Sequence, residues 1–230
     1  MPSPIGHALA GVAAAWTADV IPGDRRWRFA PVASSIYARA GGGLTVVCAA
    51  LGASADLDLL WGGHREHTHS IGAVMVVALL AAAMAVKAQR PVIRVTSMCA
   101  GAYATHLLLD WLGADNVPPY GIRALWPFDN RWYISSVIVF HGTQRLYVTF
   151  GQFVRENVAA ITQEMLMLGP IVALLWLVRV KAAAGLSSEL AGGDHAAQQR
   201  TRPVLGIAKP VVKDVEDREA DVEADEVGER

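Results

Sequence analysis

Apolar and polar positions segregate along the chain into long blocks. Apolar runs of helical length occupy about 5–18, 42–58, 71–86, 95–112 and 158–178, with polar or charged segments between them. The run 71–86 carries no charged residue and is rich in Ala, Val, Leu and Met. The stretch from Met165 to Val178 is as clean except for Pro170. A spanning helix needs ~17–25 apolar residues, so each run taken singly also fits a buried core helix. Five such runs within the first 180 residues predict an all-α, polytopic membrane bundle of about five apolar helices. Small residues at helical spacing (Ala49/Ala53, Ala78/Ala82, Gly101/Thr105) are expected to let those helices approach closely.

Composition and charge sharpen this picture. Hydrophobic residues are 53% of the 230 and charged residues only 18%. The charges are uneven: residues 1–186 hold 10 acids and 14 bases, and 187–230 hold 11 acids and 6 bases. The first segment has too few charges to coat a soluble globule. The residues after about Ala182 cannot bury a core and are expected to form a disordered acidic tail. The expected division is therefore a membrane domain at 1–182 and a tail at 183–230. Arg25, Arg26, Arg28 and Arg39 lie between the first two runs, Lys87, Arg90 and Arg94 between the third and fourth, and Arg179 and Lys181 after the fifth. The positive-inside rule assigns all three segments to the cytoplasm, which simple alternation of five spans also requires. The N-terminus lacks the basic region of a secretory signal and is expected to be retained.

Several function classes drop out. The net charge of −1, with scattered Lys and Arg, gives no nucleic-acid footprint. Cys48 and Cys99 sit in apolar runs, which suits buried small hydrophobes rather than a disulfide framework or a Cys-type zinc site. There is no Gly-rich phosphate loop and no internal repeat. Gly52-Ala-Ser-Ala-Asp56 is one residue short of a nucleophile elbow and no strand precedes it.

The ionisable residues are distributed less blandly. On the alternating topology, His7 opens the first run, Asp56 and Asp58 close the second, His64, Arg65, His67 and His69 link it to the third, and His106 and Asp110 close the fourth. All of them fall at the non-cytoplasmic ends. His106 and Asp110 are i and i+4, hence on one helix face, as two ligands to one divalent metal would be; a His satisfied by its own Asp has the same spacing. Asp56 and Asp58 point about 200° apart on an α-helix, so both reach one site only where the helix ends. Carboxylates at helix C-termini oppose the macrodipole unless a cation is present, although a solvated helix-end charge is the plainer account of Asp58. Three histidines in six residues beside two aspartates are dense in the N and O ligands that suit zinc or another first-row metal. Thr68 or Ser70 fits an N-cap for the third run. Arg65 suits either an anion clamp or a lipid-headgroup anchor, and His67 either a bystander or a partner to a ligand. His141 and His195 lie outside the constellation. The Tyr120–Tyr133 loop, with Trp126, Phe128 and Trp132, reads equally as an interfacial anchor or as a lid.

Five segments also occur in a familiar order and spacing: Met1-Pro-Ser-Pro-Ile-Gly-His-Ala-Leu-Ala-Gly11, Ala55-Asp-Leu-Asp-Leu59, His64-Arg-x-x-Thr-His-Ser70, His106-Leu-Leu-Leu-Asp110 and Ala124-Leu-Trp-Pro-Phe128. Together they resemble the bacterial inner-membrane, metal-dependent hydrolase family (YdjM/YbcI-like), also described as LexA-regulated. Glu164 to Pro170 looks like a late segment of it, and the resemblance covers about 1–178. The family is regarded as distantly similar to zinc-dependent phospholipase C and P1-type nucleases, which implies phosphoester hydrolysis. Two departures stand out. Leu112-Gly113 replaces a Thr that many members carry, and His67 occupies a variable position.

The resulting expectation is a multi-pass inner-membrane hydrolase whose site faces the non-cytoplasmic side, with a cytoplasmic tail. One or more divalent ions, of the zinc type, would be bound by His7, Asp56, His64, His69, His106 and Asp110. They would lower the pKa of a bound water towards ~7. Asp58 would bridge metals or act as base, and Arg65 would stabilise developing negative charge. Membrane lipids are the expected surroundings and a phospholipid or other phosphoester the expected substrate. The alternative is a metal-ion or proton-coupled transporter using the same His/Asp cluster, and a third reading is a scaffold whose tail binds partners. Substrate identity, metal count and oligomeric state stay open.

Overall fold

The apolar runs become helices because they are rich in Ala, Leu, Met and Val and their breakers fall between them. A computed structural model describes residues 1–20, 35–60, 65–144 and 149–200, and the side chains of all of these but 19–20 and 181–200. The elements are α1 (Pro4–Val20), α2 (Ile36–Arg39), α3 (Gly42–Ser54), a 3-10 segment (Ala55–Leu60), α4 (Ile71–Lys87), α5 (Val92–Trp111) and α6 (Phe150–Arg200). Among the described residues there is no regular strand, and the 112–149 connection contains two isolated bridges, Gly113 with Phe140 and Ile122 with Tyr133. The chain divides into two compact units, Met1–Ser188 and Glu189–Arg230. Of the second, only helical backbone to Arg200 is described.

Helix α5 is the hub of the first unit and packs against α1, α3 and α4. Its buried residues, Val95, Met98, Cys99, Ala102, Tyr103, His106, Leu109 and Asp110, recur every three or four positions and form one stripe. The N-terminal half of that stripe is core: Val95, Met98, Cys99 and Ala102 cluster with Ala15, Cys48 and Ala85. Its C-terminal end turns polar without leaving the interior. Helix α1 crosses α3 backbone to backbone. A Cβ on Gly11 would lie 2.5 Å from the Cys48 carbonyl, and one on Gly52 would lie 2.4 Å from the His7 carbonyl. The closest approach is therefore at these glycines rather than at the small-residue pairs expected from spacing. Helix α6 runs beside α1, with Leu168 in a cluster with Ala10, Leu109 and Phe140, and Trp16 5.5 Å from Trp176.

Among the described residues, three helical stretches are long and apolar enough to cross a membrane: Gly42–Leu60, Val92–Trp111 and Phe150–Val180. Ile71–Lys87 is apolar but shorter, about 26 Å at 1.5 Å per residue. Its outward face (Met75, Val76, Leu79, Leu80, Met84, Val86) is half exposed or more, a patch that hydrocarbon accommodates and water does not. Of the five expected spans, three meet the length and composition of a crossing helix. Helix α1 is interrupted by His7 at one end and Asp19 at the other. A second difference concerns the tail: α6 continues to Arg200 through the residues expected to begin it at 183, where Ala182, Ala183, Ala184 and Leu186 favour helix. Residues 201–230 lie outside the described residues.

Candidate metal centre

The polar end of the α5 stripe is where four other segments arrive. Helix α3 ends at Ser54 and tightens into the 3-10 segment that carries Asp56 and Asp58. With three residues per turn, these two carboxylates diverge, and His69 stands between them. Its Nε2 is 3.7 Å from Asp56 Oδ1, and its Nδ1 is 3.2 Å from Asp58 Oδ2. His69 is placed by the start of α4. Ser70 is the N-cap, its hydroxyl accepting from Ala73 N, while the carbonyls of Ala124 and Trp126 accept from Ile71 N and Gly72 N at 2.8 and 2.9 Å. The Trp126 loop thereby satisfies amides that a helix N-terminus otherwise leaves unpaired. It braces the turn that presents His69, and Phe128 at its tip stays 76% exposed.

The imidazoles converge on one carboxylate. His106 Nε2 is 3.0 Å from His69 Nε2, and each lies 3.2 Å from Asp110 Oδ2. His106 Nε2 is 3.8 Å from Asp56 Oδ1. Asp56, His69, His106 and Asp110 thus offer four ligand atoms all within 4.8 Å of one another. Tetrahedral zinc with ~2.0–2.2 Å bonds holds its ligands about 3.4 Å apart, close to these separations. His106, His69 and Asp110 are at most 1% exposed.

The outer hydrogen bonds decide which nitrogens face inward. His106 Nδ1 is 2.7 Å from the Gly52 carbonyl. A carbonyl only accepts, so Nδ1 carries the proton and Nε2 presents its lone pair. His69 Nδ1 faces Asp58 and Thr68 Oγ1, which assigns it the same tautomer. Two lone pairs and a carboxylate oxygen therefore point at one another. Both oxygens of Asp110 are buried without a hydrogen bond of proper geometry, and a cation, rather than N–H donors, is what matches such a set. The donor set accordingly fits a divalent metal ion of the nitrogen- and oxygen-preferring kind. In the metal-free protein a proton answers the same demand. Burial opposes charge on His69, but the surrounding carboxylates of Asp110, Asp56 and Asp58 outweigh it and raise its pKa to about 10.

The remaining expected residues occupy distinct places. His7, from the first turn of α1, stacks on His106 with ring centroids 3.7 Å apart, and its Nε2 is 3.4 Å from Asp110 Oδ1, the other oxygen of that carboxylate. Asp58 stands behind His69, accepting from Arg65 N at 3.0 Å and from the Thr68 hydroxyl, and is not among the four ligand atoms. Arg65 has a left-handed backbone (φ 70°). Its guanidinium pairs with Asp115 and donates to the Val117 carbonyl, tying the site loop to the 115–123 segment. His67 is exposed and edge-on to Trp126. His141 is exposed and its backbone N–H donates to Gln163. His64 and the side chain of His195 lie outside the described residues. Cys48 and Cys99 are buried in the core. Reasoning from sequence passed over Tyr103, whose hydroxyl donates to the Thr68 carbonyl at 2.8 Å. Its i−3 position relative to His106 was the available signal. It also passed over Asp115, for which no local signal exists.

Residues 1–185 match the family described as YdjM inner membrane protein. The chain belongs to that family. No curated protein and no solved structure matches it. Membership agrees with the apolar helices. The YdjM-family match spans every segment that contributes to the His/Asp cluster, from His7 on α1 to Asp110 on α5.

Proposed function

We propose that this YdjM-family chain is a membrane-embedded, metal-dependent hydrolase acting on a phosphoester, a phospholipid or a related compound, at the non-cytoplasmic membrane surface. One observation carries the proposal: two buried imidazoles, each with Nδ1 engaged elsewhere, aim Nε2 at the same oxygen of a buried aspartate. His69, His106, Asp110 and Asp56 hold the ion in this scheme, with His7 and His64 completing the ligand set. A zinc-type ion there supplies a water of lowered pKa and a Lewis acid for the scissile group. The chain's own residues do the positioning. Gly52 and Asp58 keep the Nδ1 protons in place, and Arg65 holds the loop that carries His69 against the 115–123 segment. Five crossings with the N-terminus outside put the site on the non-cytoplasmic face, as the basic segments support.

The test is the metal content of detergent-purified protein by elemental mass spectrometry, wild type beside the His106→Ala/Asp110→Ala double variant, followed by phosphoester turnover. The expected result is about one or more equivalents of zinc or manganese in wild type, loss in the double variant, and hydrolysis that follows the metal. Wild type with no metal above background after repletion sinks the proposal. Metal flux into proteoliposomes without hydrolysis assigns the cluster to transport instead.

A further inference from the structure

Glu164 is fully buried near the middle of the α6 spanning segment, where an ionisable side chain is costly and calls for a purpose. Among the described residues its carboxylate meets no Lys or Arg. Both oxygens are spent on one residue, Ser3: Oε1 accepts from Ser3 N at 2.6 Å and Oε2 from the Ser3 hydroxyl. The same hydroxyl accepts from Gly6 N at 3.2 Å, and the Ser3 carbonyl accepts from His7 N at 3.1 Å. The first turn of α1 is thus bonded at its start to a carboxylate from α6. The fit is close: a Cβ at position 6 would lie 2.5 Å from Glu164 Oε2, so a side chain there would have to displace that carboxylate. A negative charge is also favourable at the positive end of the α1 dipole.

The residue at the end of this turn is His7, fully buried, with its ring on His106 and its Nε2 facing Asp110 Oδ1. The backbone bond from Ser3 to His7 makes the turn a rigid link between α6 and the cluster. We infer that Glu164 is a positioning residue for the metal centre: acting through Ser3, it fixes the first turn of α1 so that the His7 imidazole stays against Asp110 and His106. This rests on the cluster being a metal site. It gives α6, which supplies none of the four clustered ligand atoms, a part in ligand geometry.

The test uses the full chain in detergent and zinc alone as probe, with affinity read by competition against a chromophoric chelator. Glu164→Gln keeps an acceptor for Ser3 N but loses the charge and the second acceptor. It should weaken zinc binding about tenfold, as outer-sphere substitutions do. His7→Ala should weaken it at least as much. Adding Glu164→Gln to His7→Ala should cost nothing further, because the residue through which Glu164 acts is gone; a merely structural role would give additive losses. Ser3→Ala, which spares the bond to Ser3 N, should shift affinity in the same direction by less, and serves if Glu164→Gln does not purify as a folded protein. Wild-type affinity in Glu164→Gln or Ser3→Ala, or an additive double variant, overturns the inference while leaving the metal centre standing. Wild type that binds no zinc overturns both.

Discussion

The clearest perturbation of the proposed centre is Asp58→Asn, because it alters charge behind a ligand without changing shape. Asp58 Oδ2 takes three donors: His69 Nδ1 at 3.2 Å, Arg65 N at 3.0 Å and the Thr68 hydroxyl. A hydrogen bond to a charged acceptor contributes about 1.5–3 kcal/mol and a neutral one about 0.5–1.5 kcal/mol, so neutralising the His69 partner alone costs about 1–1.5 kcal/mol. That is about tenfold in metal affinity. If the new amide turns its NH2 towards Nδ1, that nitrogen must accept, the proton moves to Nε2, and the lone pair aimed at the cluster is lost. The cost then approaches the 100-fold upper range for such partners. The assay is zinc titration against a chelator, with thermal unfolding of metal-free protein recorded in parallel to separate affinity from folding. A loss of about 10- to 100-fold is expected, with stoichiometry unchanged. Unchanged affinity would mean that Asp58 does not orient His69. Complete loss of the ion, equal to that of His69→Ala, would make Asp58 a ligand, as the bridging role expected from sequence would have it.

Other outcomes follow from the same geometry. Because His69 is held at about pKa 10, it is an imidazolium at pH 7.5, so each ion bound should release about one proton there; calorimetry in buffers of different ionisation enthalpy measures it, and zero release contradicts the assignment. The sign for stability is equally definite. A pKa raised above the unfolded 6.5 stabilises the metal-free protein fully below pH 6.5, and that contribution fades as pH rises through about 10, so Tm of metal-free protein should fall over that window. Gly52→Ala places a Cβ 2.4 Å from the His7 carbonyl and should cost about 1–3 kcal/mol while weakening metal binding, whereas Gly43→Ala, 3.4 Å from the Tyr37 hydroxyl, should be near neutral in both; equal behaviour of the two would refute the α1–α3 crossing. Single cysteines test orientation, since native Cys48 and Cys99 are buried: Phe128→Cys should label from the non-cytoplasmic side and Arg90→Cys from the cytoplasmic side, and labelling of both from one side would break the alternating topology.

What could be read before any coordinates were the features whose geometry is local. His106 and Asp110 share a helix face by spacing alone, and the density of His and Asp around 56–69 marks a ligand-rich turn whatever the fold. The dilemma of Asp56 and Asp58, which cannot point the same way on a helix, is resolved by the 3-10 segment: they do diverge, and His69 fills the space between them. What sequence could not yield is decided by where distant helices cross. The proton on His106 is assigned by the carbonyl of Gly52, 54 residues away, on α3 where that helix meets α1. Arg65 pairs with Asp115, 50 residues on, and Glu164 reaches Ser3 across 161. The ligand set is thus a property of short segments, whereas the protonation of each ligand, and so its ability to bind a cation, is a property of the tertiary crossing. A homologue that kept all the His and Asp residues but placed a larger side chain at position 52 would keep the motif and lose the site.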